Sequence, residues 1–387
     1  MKIALYTITS SLHTELAEEV LQEPFLQDII KAMPGHELVL RGSDYRDFGG
    51  YDRNLVYVRT GGTEGIFKSL GLPGYVRLLT SGKSNSLAAS MEILAYLNKT
   101  GRRGEILHGA ADYVVSRILA EDPETEATEA VPAQSVRPMI PVNFEGARLG
   151  VIGKPSDWLI ASDVDYRKAS ASVGLELVDI PIAELIDEVN SYNVKDIRSF
   201  ECSEAICEAL KKMVSKYNLS GLTLRCFDLL DTLHNTGCLA LARLNAAGIP
   251  ASCEGDIPTL ITMMLANRLT GVSGFQCNLS RVAGCELLFA HCTVPLNMVD
   301  SYTYATHFES GLGTAIKGEL PAGPVTVLKV SPDLESCVAI HGELVRNQYE
   351  PGLCRTQVIV KVPEGESAYF LTGPLANHHV IVPGHIL

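Results

Sequence analysis

Short apolar runs alternate with amphipathic stretches through the first two thirds of the chain. Residues 2–7, 37–41 and 55–59 read as strands, and 12–33 and 87–97 as helices. Two of the strand ends open into polar turns, Arg59-Thr-Gly-Gly-Thr-Glu64 and Thr80-Ser-Gly-Lys-Ser-Asn85. The alternation resumes with strands at 147–153, 175–180 and 221–227 and helices at 166–173, 203–217 and 236–247, the last closed by Gly248. Cys253-Glu-Gly-Asp256 falls at a strand end or turn, and Pro258 opens the helix that carries residues 260–269. After residue 299 the texture changes to short β-rich runs at 325–330, 337–341, 357–362 and 368–371, punctuated by Gly, Pro and Thr. The pattern predicts an α/β protein: two doubly wound parallel-sheet (Rossmann-like) domains, 1–145 and 146–298, the second carrying Glu254. A small β-barrel-like domain, 299–387, follows.

Composition narrows the function classes. A chain of 387 residues is long enough for two or three cores. No uncharged apolar run approaches the roughly 18 residues of a membrane helix, and the first strand has no signal-peptide pattern, so a cytoplasmic protein is expected. The net charge of −13 argues against a nucleic-acid partner. All ten cysteines lie beyond Phe200 without a CxxC pair, which points to reduced core thiols rather than structural zinc. Residues 121–134 are acidic and contain proline, as a linker would be.

Candidate chemistry gathers late in the chain. Gly82-Lys83-Ser84 lacks the earlier glycine of a phosphate loop and reads better as a turn in which Ser84 or Asn85 caps the next helix. Gly153 stands alone, without the GxGxxG spacing of a dinucleotide site. Glu254 by itself would be an acid at a helix start. Its companions change that reading: Asp256 two residues on, Asn278 closing the next strand-like segment, and His291 after a further apolar run. Strand–helix–strand spacing places Glu254 and Asn278 on one edge of a parallel sheet, where sites collect. Of the adjacent His378 and His379, a strand turns only one towards a given site. His307 is a further candidate.

These residues carry a resemblance. The chain resembles the L-fucose isomerase / L-arabinose isomerase superfamily, most closely its shorter fucose-isomerase-like members. The resemblance rests on Arg59-Thr-Gly-Gly-Thr-Glu64, Asn85-Ser-Leu-Ala-Ala-Ser90, Cys253-Glu-Gly-Asp256 with Leu260-Ile-Thr-Met263, and Leu375-Ala-Asn-His-His-Val380. Gly323-Pro-Val-Thr-Val327 and Cys354-Arg-Thr-Gln357 are similar to its C-terminal domain. It implies aldose–ketose isomerisation of a sugar or modified sugar through an enediol, with Mn2+ or another divalent ion, in a homo-oligomer (trimer or hexamer). By motif, Glu254 would be metal ligand and base, with Asp256 a second catalytic acid. Asn278 would stand at the second acid's position among the ligands. His378 would be the imidazole ligand, with His379 the alternative, and Asn377 would contact the sugar, as would His291 and His307. The departure is Asn278, an amide that cannot take a proton. It keeps open a non-catalytic carbohydrate-binding or regulatory protein on the same scaffold, ahead of an NAD-linked oxidoreductase.

Overall fold

The computed structural model describes residues 1–11, 20–122 and 136–387. It is a mixed α/β molecule with two parallel sheets and one closed antiparallel barrel. The first sheet holds β1 (Lys2–Ile8), β2 (Glu37–Gly42), β3 (Arg53–Val58), β4 (Val76–Leu79) and β5 (Gly104–Leu107), in the order β2-β1-β3-β4-β5. Its connections carry α1 (Pro24–Ala32), α2 (Glu64–Leu70) and α3 (Ser86–Lys99), and α4 (Ala111–Leu119) follows β5. The helix expected over 12–33 is confined, among the described residues, to α1, because Pro24 fits only its first turn. Residues 12–19 of that expectation, and 123–134 of the expected linker, lie outside the described residues.

A short strand, β6 (Val136–Pro138), leads to the second sheet. Its strands β7 (Arg148–Ile152), β8 (Glu176–Ile180), β9 (Gly221–Leu224) and β10 (Ala251–Cys253) are ordered β10-β9-β7-β8, all parallel. Helices α5 (Tyr166–Val173), α6 (Ile182–Ser191), α7 (Phe200–Tyr217), α8 (Asp228–Leu233), α9 (Cys238–Ala246) and α10 (Ile257–Thr270) accompany it.

The remaining strands are β11 (Phe275–Ala283), β12 (Glu286–His291), β13 (Ser301–Ala305), β14 (Ala315–Glu319), β15 (Gly323–Val330), β16 (Ser336–Asn347), β17 (Thr356–Lys361) and β18 (His379–Pro383). Six of them run β15-β18-β11-β12-β17-β16, and the pairing of β15 with β16 closes the ring. β6 extends it beside β16, while β13 and β14 form a separate hairpin. Closure leaves these strands without an exposed edge. Alternation fills the interior: Phe275, Phe289, Val327, Ile340, Val358 and Ile381, one from each strand, share a single cluster.

Two expectations change here. Residues 368–371, expected as a strand, form the short helix α11 (Tyr369–Thr372). Tyr369 and Phe370 are both buried, and neighbours can bury together in a helical turn far better than in a strand, which sends them to opposite faces. The segment around Asn278 belongs to antiparallel β11 rather than to the parallel sheet of Glu254. Gln276 makes the junction. Its side chain accepts from the Cys253 backbone N–H at 2.7 Å and so covers the free edge of β10 with a barrel residue.

Two helices clamp the parts together. α3 buries most of its length, Leu87 to Leu97, between the first sheet and the barrel, consistent with its apolar residues on every side. α10 does the same between β7 and the barrel strands β15 and β18, through Leu260, Ile261 and Leu265. The N-terminus of α3 borders the space described next.

Candidate functional site

A cavity of about 410 Å³ lies where the two sheets and the barrel meet. Ser10, Gly61 and Glu64 come from the first sheet's strand ends, and Asn85 and Ala89 from the start of α3. Trp158, Phe227 and Glu254 come from loops of the second sheet, and Asn278, Glu309 and Asn377 from the C-terminal part. Strand ends of parallel sheets collect ligands in this way.

Glu254 is held in an uncommon backbone. Its φ is +63°, and Gly255 follows at the same value. A Cβ on Gly255 would stand 2.7 Å from the Lys154 carbonyl oxygen, so glycine is required there by both conformation and space. The Ser156 hydroxyl donates to the Glu254 carbonyl oxygen, and the Trp158 indole N–H donates to Glu254 Oε2 at 3.0 Å. The strain of a left-handed glutamate is thus held on both its backbone and its side chain.

Glu254 Oε1 faces two imidazoles, 3.5 Å from His378 Nε2 and 4.0 Å from His291 Nε2. Among the described residues these three form the one group whose donor atoms all lie within 4.8 Å of one another, as a metal ion would require. Each imidazole is oriented from behind. His378 Nδ1 lies 2.8 Å from Asp256 Oδ2, and His291 Nδ1 lies 2.8 Å from the Thr293 hydroxyl. A carboxylate behind a ligating histidine fixes its ring and raises its basicity.

Asp256 itself is buried. Its Oδ1 accepts from the Thr259 backbone N–H at 2.7 Å as the N-cap of α10, and Lys329 Nζ, from β15, stands 3.8 Å from Oδ2. One carboxylate thereby caps a helix, orients a histidine and balances a buried cation.

Burial opposes ionisation of Glu254, yet His378, His291 and Trp158 outweigh it and hold the carboxyl at about 2. Burial likewise opposes charge on His378, but Glu254 and Asp256 outweigh it and lift it to about 10. His291 is pushed down to about 4 by burial and by the neighbouring His378. These shifts favour an anionic Glu254 beside a cationic His378, and a divalent ion bound there would displace the imidazole proton. The donor set fits such an ion. One carboxylate oxygen and two imidazole nitrogens suit a borderline or hard divalent cation. His378 Nε2, Asn278 Oδ1 and Asn377 Oδ1 are all buried with no hydrogen-bond partner.

Burial also raises three further carboxyls, Glu64, Glu92 and Glu309. Glu64 and Glu309 line the cavity. Glu92 lies behind it and accepts from the backbone N–H groups of Ala161, Ser162 and Asn377, at 2.7, 3.1 and 2.9 Å. It ties α3 to the second sheet's loop and to the segment before β18.

The sequence candidates distribute as follows. Glu254, His378 and His291 converge, so His291, expected as a sugar contact, stands in the group that could hold a metal ion. Asn278 lines the cavity beside them with its Oδ1 free, and Asn377 lines it too. Asp256 stays behind His378, outside the cavity lining. His379 turns away: its Nδ1 meets the Asn377 carbonyl oxygen and its Nε2 the Tyr369 hydroxyl, with Phe370 beside the ring. Burial pushes it down to about 3. His307 contacts Ser310 and packs edge-on against Phe227, one ring removed from the cavity. Asn85 takes the N-cap position of α3 as expected, but its side chain makes no capping bond. It turns into the cavity, donating to Glu309 Oε1 at 2.8 Å and accepting from Asn278 Nδ2 at 3.5 Å. Sequence reasoning also missed Glu64, Glu309 and Trp158 as site residues. The isolated tryptophan and the acid two residues past His307 were the available signals.

No protein-family model matches the chain. It is 26% identical over 211 residues to proteins named sulfoquinovose isomerase from Priestia aryabhattai and Priestia megaterium, 48% of this chain and 47% of each of theirs. A protein of the same name from Alkalicoccus urumqiensis is 28% identical over 130 residues, 32% of this chain and 29% of that one. The chain spans about half the length of the curated relatives it matches. These names point to sugar isomerisation and are compatible with the superfamily resemblance. Among the described residues no helix is long and apolar enough to cross a membrane. All ten cysteines are free thiols, nine of them buried.

Proposed function

We propose that the protein is a divalent-metal-dependent aldose–ketose isomerase acting on a sugar or modified sugar through an enediol. The observation that carries this reading is the convergence of Glu254, His291 and His378, with Glu254 on the wall of a cavity of ligand size. A divalent ion such as Mn2+, held by those three side chains, supplies Lewis-acid polarisation of the sugar carbonyl when bound. The chain's own residues do the rest. Asp256 and Thr293 hold the imidazoles so that both Nε2 atoms face Glu254. The amide oxygens of Asn278 and Asn377 have no protein partner and are placed to accept sugar hydroxyls. Trp158 and Phe227 present apolar faces for the sugar's C–H surface while Trp158 steadies Glu254. The relatives' names favour an enzyme over a non-catalytic sugar binder. A homo-oligomer belongs to the same reading.

The test combines metal analysis with a panel of aldoses, glucose and sulfoquinovose included, assayed with Mn2+ for ketose formation. Glu254→Gln is expected to lose turnover and tight metal binding together. Full turnover in that variant sinks the assignment, and sugar binding without metal or isomerisation would favour the binder.

A further inference from the structure

The isomerase reading leaves one role unfilled. Moving hydrogen between C1 and C2 requires a base that reaches both carbons. Asn278 is an amide and cannot take a proton. Glu254 is engaged on both oxygens, Oε1 by the imidazoles and Oε2 by Trp158. The cavity holds two other carboxylates, Glu64 and Glu309. Glu64 sits at the first position of α2 with its Oε2 buried and unpartnered, whereas Glu309 is aimed by a second side chain.

Glu309 arrives differently, on the loop that joins β13 to β14. Asn85, in a left-handed backbone at φ +59°, grips its Oε1 at 2.8 Å, and Asn278 backs Asn85 at 3.5 Å. The amide that cannot act is therefore one hydrogen-bonded residue away from a carboxylate that can. The first sheet leaves room for the pair. A Cβ at Gly61 would lie 2.9 Å from Asn85 Cβ and 3.7 Å from Glu309 Oε1. The buried, unpartnered oxygens of Asn278 and Asn377, which line the same cavity, mark the space as a ligand's.

We propose that Glu309 is the catalytic carboxylate that carries the proton between C1 and C2, with Asn85 as its positioning residue; this rests on the isomerase reading. Glu309 takes the C2 hydrogen as a proton, and the C2–H electron pair becomes the C1–C2 double bond as the carbonyl pair moves onto O1. Glu309 then returns the proton to C1, the O2 hydroxyl proton passes to O1, and C2 becomes the carbonyl. No external oxidant or reductant enters.

The experiment follows solvent deuterium into C1 of the ketose and C2 of recovered aldose, using the sugar of the panel that wild type turns over, with Mn2+. Glu309→Gln is expected to lose exchange and to lower kcat by at least about 100-fold. Kd for Mn2+ and for the sugar, read from the single tryptophan Trp158, stays within about threefold. Glu309→Asp recovers part of the exchange. Exchange retained in Glu309→Gln, or lost only in Glu64→Gln, overturns the assignment while the isomerase reading stands. Ketose formed by wild type without exchange removes this proposal while the isomerase reading stands, and no ketose from any sugar of the panel removes both.

Discussion

Replacing Asp256 by Asn separates two duties of one carboxylate. The side chain keeps its size, and an amide oxygen can still cap α10 at Thr259. What changes is the partner of His378. Asp256 Oδ2 accepts from Nδ1, leaving the Nε2 lone pair available to a metal ion. An amide N–H in that place requires Nδ1 to accept, which moves the ring proton to Nε2, where it points at Glu254 and blocks the ion. Loss of a carboxylate behind a ligating histidine weakens metal binding about 10- to 100-fold, roughly 1.4–2.8 kcal/mol. The substitution also strips a counter-charge from Lys329, whose side chain is wholly buried 3.8 Å away. Leaving a buried ion unpaired costs about 3–5 kcal/mol.

The two costs come apart in a second variant. Lys329→Met added to Asp256→Asn removes the orphaned cation, so most of the unfolding free energy returns while metal affinity stays low. Calorimetric Mn2+ titration and urea unfolding of the wild type, the two single variants and the double variant read both quantities. Mn2+ binding within about twofold of wild type in Asp256→Asn would refute the tautomer argument. A double variant no more stable than Asp256→Asn would refute the pairing argument.

Three further outcomes follow from the same network. Glu92→Gln places an amide N–H₂ among the backbone donors of Ala161, Ser162 and Asn377, so a loss of about 3 kcal/mol in urea unfolding is expected, and wild-type stability would contradict it. His108 is pushed by burial from 6.5 to about 4; it takes the Val282 backbone N–H on Nε2. A histidine with a depressed folded pKa gives stability that is present above about 6.5 and lost as pH falls towards 4, by about 3 kcal/mol; His108→Gln should flatten that slope. Finally, no Lys or Arg lines the cavity, and residues 12–19 and 123–135 contain none. Sulfoquinovose should therefore bind at least about tenfold more weakly than glucose in Trp158 fluorescence titrations, and equal or tighter binding would show a cation reaching the site.

Local periodicity carried most of the fold because burial imposes it locally. Residues 166–173 form α5 as read, the β-rich run at 325–330 lies within β15, and the run at 357–362 overlaps β17. Pairing partners were less legible. Nothing local in Gly274-Phe-Gln-Cys-Asn278 distinguishes a parallel strand from a barrel strand, and the decision is made by Gln276 covering the edge of β10, a contact across 23 residues.

The site divides along the same line. Glu254 and His378 were legible because each stands beside a turn or a second histidine that gives it a local mark. Asn85 and Glu309 had no such mark. Asn85 occupies a helix-start position where an asparagine ordinarily caps, and only the absence of that bond, with its side chain turned to a residue 224 positions away, shows another use. An N-cap residue that leaves the cap unmade forgoes about 1 kcal/mol of helix stability. Glu254, which also lines the cavity, accepts left-handed strain. Both local costs fall on residues that line the same cavity, and departures from local preference concentrated in one place are what a functional site would produce.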